Sequence, residues 1–167
     1  LRGNVETRLR RLDEGELDAI LLACAGLERL GIAHHITHEL DVDLSVPAVG
    51  QGVIGIESRA DDARSRAVLA ALHHAATFTR LTAERSFAAT LGGSCHSPIA
   101  AHATLDGETL TVSGFIGAPD GSETYRDQLA GPATAAVSLG RDLARRMQAA
   151  GAETLLERLR QEAAAAS

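Results

Sequence analysis

The sequence contains no lysine, no tryptophan and only two cysteines among its 167 residues. All 16 basic residues are therefore arginine, which removes amine nucleophiles and Schiff-base formation from the available chemistry. Cys24 and Cys95 stand at unrelated spacing and supply neither a disulfide framework nor a CxxC metal signature. No apolar run approaches the ~20 residues that cross a bilayer, and no signal peptide opens the chain. These absences lead us to expect a soluble cytoplasmic protein with reduced thiols and no membrane partner. The net charge of −6 argues against a broad nucleic-acid surface. The length suits one domain or two small ones, with enough chain for a real core.

Cys95 lies in Leu91-Gly-Gly-Ser-Cys-His-Ser-Pro-Ile99, where two glycines and a proline specify a loop between two regular elements. A thiol presented this way is a candidate nucleophile or attachment point. The plainer reading is a small apolar residue tucked under a loop. A second concentration of chemistry lies at the start, where Arg2, Arg8, Arg10 and Arg11 face a single Glu6. Guanidinium groups hold carboxylates by paired hydrogen bonds, so the cluster suits a small polyanion, although a solvated helix face has the same composition.

Periodicity predicts a helix over 5–13, with Val5, Leu9 and Leu12 on one side. The apolar run 17–25 (LDAILLACA), bounded by Gly15 and Gly26, reads as a buried parallel strand with Cys24 in the core. A turn and short helix over 26–36 complete an α/β rhythm, in which ligands gather at the carboxyl ends of strands near Arg2, Ala23, Gly26 and Arg29. Residues 44–57 read as a bend or domain crossover around Gln51, which is flanked by Gly50 and Gly52. Helices are predicted over 61–71 and 77–91, the latter with Phe78, Leu81, Arg85 and Ala88 at helical spacing. The period then becomes two, and Asp106-Gly107 and Pro119-Asp-Gly-Ser122 divide an antiparallel meander of three strands over 99–129. Helices over 133–148 and on to Arg160 follow, with a frayed alanine-rich tail over 163–167.

These pieces together resemble porphobilinogen deaminase (hydroxymethylbilane synthase). The motifs that carry the resemblance are Arg2-Gly-Asn-Val-Glu-Thr-Arg-Leu9, Leu12-Asp-Glu-Gly-Glu16, residues 18–30, Pro47-Ala-Val-Gly-Gln-Gly52, Thr82-Ala-Glu-Arg85, Gly93-Ser-Cys-His-Ser-Pro-Ile99 and Gly117-Ala-Pro-Asp-Gly-Ser122. They occur in the family's order over essentially the whole chain. The resemblance implies a transferase that condenses four porphobilinogen molecules head to tail, releasing ammonia at each addition and finally hydroxymethylbilane. It further implies a dipyrromethane cofactor joined by a thioether to Cys95. Arg2 and Arg8 would hold the cofactor's carboxylates beside Ala23 and Gly26, and Arg29, Gln51 and Gly52 would contact substrate. The implied fold is α/β plus α+β. Residues 1–52 match the later part of a periplasmic-binding-protein-like α/β domain 2, 53–70 a segment returning to domain 1, and 71–167 an α+β domain 3.

The family's catalytic aspartate falls in an amino-terminal segment absent from this sequence, so no catalytic role is assigned to Asp13, Asp18 or Asp41. The implied partners are porphobilinogen and that amino-terminal segment, in a monomer, and the chain alone is expected to be inactive. Ser94 departs from the glycine found in many members. His34 and His38, at i and i+4, lack a third ligand for zinc. His96 is either an aid to thiolate formation or a surface residue. The alternative function is a non-catalytic module that binds tetrapyrroles or polycarboxylates.

Overall fold

Residues 109–117 alternate threonine, serine and phenylalanine with leucine, valine, glycine and isoleucine, and this alternation yields a strand with one dry face. In a computed structural model, which describes residues 3–92 and 97–165, that strand (β2, Thr109–Gly117) is the centre of a three-stranded antiparallel sheet. Its neighbours are β1 (Ile99–Asp106) and β3 (Thr124–Pro132). Asp106 pairs with Thr109 and Gly117 with Thr124, so both connections run between adjacent strands as a meander. Pro132 ends β3, an edge strand, where its missing N–H interrupts no ladder.

The chain forms two compact units, Leu1–Asp41 and Val42–Ser167. In the second, α4 (Ala75–Thr90) and α5 (Ala136–Met147) cover the dry face of the sheet. Phe87, Leu91, Leu110, Val112, Ile116, Leu143 and Met147 form the centre of the core. A Cβ at Gly140 of α5 would lie 2.1 Å from the Ala83 carbonyl oxygen of α4, so the two helices cross at a contact that admits only glycine. Nearby, the Ser86 hydroxyl donates to the Val137 carbonyl at 2.7 Å. After α5 the chain widens through Gln148–Ala152 into α6 (Glu153–Ala165), which buries Leu155 and Leu156.

Arg146 of α5 grips β3, donating through Nε and Nη2 to the two Asp127 oxygens at 2.5 and 2.6 Å. This guanidinium holds the Asp127 carboxyl below its ordinary value, with burial opposing the shift. A carboxylate with a depressed folded value contributes stability above its unfolded value of about 4, and that contribution disappears as pH falls through the folded value. A urea-unfolding series between pH 2 and 5 is therefore expected to give a steeper loss of stability for the wild type than for Arg146→Ala. Parallel curves would exclude this contribution.

The first unit carries α1 (Val5–Asp13) and α2 (Cys24–Arg29), with a 3-10 turn at Ala33–His35. Asn4 caps α1 by accepting from the Thr7 amide at 2.9 Å. The strand expected over 17–25 is not formed: residues 17–23 have no regular structure, Leu21 is 77% exposed, and half-buried Cys24 begins α2 rather than lying in a core. A buried parallel strand takes its backbone hydrogen bonds from neighbouring strands, and the described residues of this unit contain none. The helix expected over 61–71 appears as α3 (Ala63–Leu69), prolonged by a 3-10 turn at Ala70–Leu72.

The buried face of α4 also differs from its expected stripe. It runs through Ala83, Glu84, Phe87 and Leu91, whereas Phe78 is 59% exposed and Arg85 lies outside. The tail expected to fray is helical as far as Ala165. Among the described residues, no helix is long and apolar enough to cross a membrane.

Candidate cofactor and substrate site

The arginines of the first unit divide by their partners. Arg10 reaches Glu14 at 3.9 Å and Arg11 reaches Glu16 at 2.6 Å, so these two belong to a self-paired helix face. Arg8 is half-buried, and its Nε donates to the Gly3 carbonyl at 2.9 Å. That bond steers the guanidinium by a backbone atom, which carries no countercharge of its own. Arg29 is exposed at the end of α2. Among the described residues, neither Arg8 nor Arg29 has a carboxylate partner. A ligand bearing several carboxylates suits such groups, since planar guanidinium donors match carboxylate oxygens.

Ala23 and Gly26 are brought together by the start of α2. Ala23 has extended backbone (φ −73°, ψ 121°), and its carbonyl accepts from the Gly26 amide at 3.0 Å. Gln51 and Gly52 occupy a loop of the second unit made of two successive turns, closed by Gln51 N–H to Ala48 O at 2.9 Å and Val53 N–H to Gly50 O at 3.1 Å. Gly50 (φ +73°) and Gly52 (φ +77°) take the third position of each turn, where a left-handed backbone requires glycine. Exposed Gln51 is thereby held between two tight reversals. Arg2 and Cys95 lie outside the described residues, as do Ser94 and His96.

The flanks of the Cys95 loop are described. On the near side, Arg160 of α6 donates through Nη2 to the Leu91 carbonyl at 2.6 Å. On the far side, the Gly117 amide of β2 donates to the Pro98 carbonyl at 3.1 Å.

Sequence reasoning missed two side chains as individuals. Glu84, within the Thr82-Ala-Glu-Arg85 motif, is 7% exposed. Its Oε1 accepts from the Ala103 amide at 2.9 Å and its Oε2 from the Gly50 amide at 2.8 Å. The available signal was a carboxylate at i relative to Phe87 at i+3 and Leu91 at i+7, on a face that is otherwise apolar. His74 is the N-cap of α4, its Nδ1 accepting from the Thr77 amide at 3.3 Å. His34 and His35 lie side by side within a 3-10 turn, their rings tilted by 38° with centroids 4.3 Å apart, and His38 lies in the coil beyond it.

An arginine-bearing unit is thus followed in the chain by an α+β unit whose α4–β1 connection carries the cysteine. Comparison with known proteins names the family. Residues 1–67 match the model described as porphobilinogen deaminase, dipyromethane cofactor binding domain, and residues 78–149 match porphobilinogen deaminase, C-terminal domain. The porphobilinogen deaminase of Trichlorobacter lovleyi is 50% identical over 157 residues, covering 94% of this chain and 50% of the relative. That of Chromobacterium violaceum is 51% identical over 156 residues, covering 93% and 50%. The enzyme of Acidithiobacillus ferrooxidans is 49% identical over 160 residues, covering 96% and 52%. The chain belongs to the porphobilinogen deaminase family, and it spans about half the length of the curated relatives it matches.

Proposed function

We propose that this chain forms part of a porphobilinogen deaminase, which joins four porphobilinogen molecules head to tail into hydroxymethylbilane and releases ammonia at each addition. The observation that carries this reading is the match, in chain order, of both deaminase models across residues 1–67 and 78–149. The guanidinium groups of Arg8 and Arg29, which have no carboxylate partner among the described residues, support it, because each pyrrole ring of the substrate brings two carboxylates.

In this reading the Cys95 sulfur holds a dipyrromethane cofactor by a thioether, and that group when bound supplies the pyrrole carbon to which substrate rings are joined. Arg2 and Arg8 bind its carboxylates, with Ala23 and Gly26 against it. Arg29 holds the carboxylates of incoming substrate, while Gln51 and Gly52 orient the ring from the double turn. Handling of the pyrrole N–H protons falls to an aspartate in the half of the relatives that this chain does not match. Residues 1–52 belong with that half in a periplasmic-binding-protein-like α/β domain, 53–70 return to the first domain, and 71–167 form the third. The extended backbone at Ala23 and the exposed Leu21 support pairing of 17–23 as a strand within the complete protein.

The test uses the full-length protein. Intact mass is expected to exceed the polypeptide by two pyrrole units, and incubation with porphobilinogen is expected to release ammonia. A bare thiol together with no ammonia release would instead identify a non-catalytic module binding polycarboxylates.

A further inference from the structure

Among the described residues, Glu84 is the charged side chain of the second unit's interior, flanked on its helix face by Ala83, Phe87 and Leu91. A carboxylate is costly to bury unless its oxygens receive hydrogen bonds, and an apolar residue of similar size would fill the space at no such cost. What glutamate adds is two acceptors pointing at different parts of the chain. Oε1 takes the Ala103 amide of β1 at 2.9 Å and Oε2 takes the Gly50 amide at 2.8 Å. The turns at 48–53 use the carbonyls of Ala48 and Gly50 and the amides of Gln51 and Val53, so they leave the Gly50 N–H to Glu84. Contact at this point is close, since a Cβ on Gly50 would sit 3.2 Å from Leu81 Cδ1. The carboxylate thus links three pieces: α4 and β1, which precede and follow Cys95 in the chain, and the turn that presents Gln51 and Gly52.

We propose that Glu84 is a positioning residue, whose carboxylate sets the Gln51–Gly52 turn against the two elements flanking Cys95 and so governs substrate binding without touching substrate. The substrate's identity rests on the function proposed above, whereas the link itself does not. Glutamine at this position keeps the size but offers one acceptor oxygen and one NH2 donor to two N–H donors. The sheet amide is fixed by its strand, so the turn is the partner that lets go.

The experiment compares full-length wild type, Glu84→Gln, and Leu143→Ala, a core cavity that leaves both Glu84 hydrogen bonds in place. Amide hydrogen exchange at Gly50, the mass increment at Cys95, KM and kcat are measured on each. Wild-type Gly50 is expected to exchange about 100-fold more slowly than an unstructured amide, and Glu84→Gln to lose that protection. In Glu84→Gln the mass increment persists, KM for porphobilinogen rises about tenfold and kcat changes less than about threefold. Leu143→Ala lowers Tm but keeps the Gly50 protection and the wild-type KM.

The proposal is overturned if wild-type Gly50 is unprotected, if Glu84→Gln loses protection at unchanged KM, or if Leu143→Ala raises KM equally. Should Glu84→Gln fail to fold, Glu84→Asp, which keeps both acceptors on a stem one methylene shorter, takes its place in the same comparison. A wild type that releases no ammonia defeats the deaminase reading, and Gly50 exchange in wild type and variant then decides the link alone.

Discussion

Gly140→Val is expected to abolish cooperative folding of the Val42–Ser167 unit, and Gly140→Ala to lower its Tm by about 8 °C or more. The first added carbon would stand 2.1 Å from the Ala83 carbonyl oxygen and 2.9 Å from the Phe87 amide nitrogen. Both are backbone atoms inside α4, so no side-chain rotation relieves the clash. The helices must separate, and Phe87, Leu143 and Met147 then lose the contacts that bury them.

Overpacking of an adjustable core site costs about 1–3 kcal/mol, and a cavity beside a large apolar side chain costs about 2–5 kcal/mol. Here the two add, against a total stability of about 5–15 kcal/mol for an ordinary domain. Helix propensity pulls the other way, since alanine is favoured over glycine inside a helix by about 1 kcal/mol. Thermal denaturation followed by circular dichroism separates these effects. A Tm for Gly140→Ala above wild type would show that propensity dominates and that the α4–α5 crossing can open without loss.

The second large effect concerns chemistry. In the full-length protein, Cys95→Ala is expected to remove the two-pyrrole mass increment and reduce ammonia release from porphobilinogen to background. Alanine offers no sulfur, and without a tether each condensation has no anchored end on which to build. Cys24→Ala is expected to retain the increment, because Cys24 begins a helix and is half-buried. Intact mass spectrometry reads both variants directly. An increment that survives in Cys95→Ala, or disappears in Cys24→Ala, would move the attachment point and undo the assignment of the Gly-Gly-Ser-Cys loop.

Local signals carried the second unit well. Strict alternation and the Asp106-Gly107 pair located the β1–β2 hairpin, and the meander expected over 99–129 is the one observed, with β3 three residues longer. Helix α1 has the bounds its periodicity implied, because Asn4 marks the start. Where information comes from outside the segment, the sequence was less legible. The apolar run at 17–25 has the composition of a parallel strand, but a strand is a relation between segments, and the described residues nearby offer no partner strand.

The face of α4 was misjudged for another reason. Hydrophobic spacing ranks Phe78 and Leu81 above a stripe containing Glu84, yet two backbone donors make that carboxylate acceptable inside. The crossing at Gly140 left no trace in periodicity either, since a glycine chosen for absence of bulk resembles a weak helix residue. Of the candidate site, residue types and motif order were readable, including the arginines and the loop cysteine. The partner relations that divide Arg8 and Arg29 from Arg10 and Arg11 required coordinates.

In the proposed reading, where a chain of pyrroles lengthens on the Cys95 sulfur, the bonds from Arg160 to the Leu91 carbonyl and from Gly117 to the Pro98 carbonyl bear on both flanks of the attachment segment. One flank is secured by α6 and the other by the middle strand of the sheet, so the described residues on either side of that segment are moored to the folded unit.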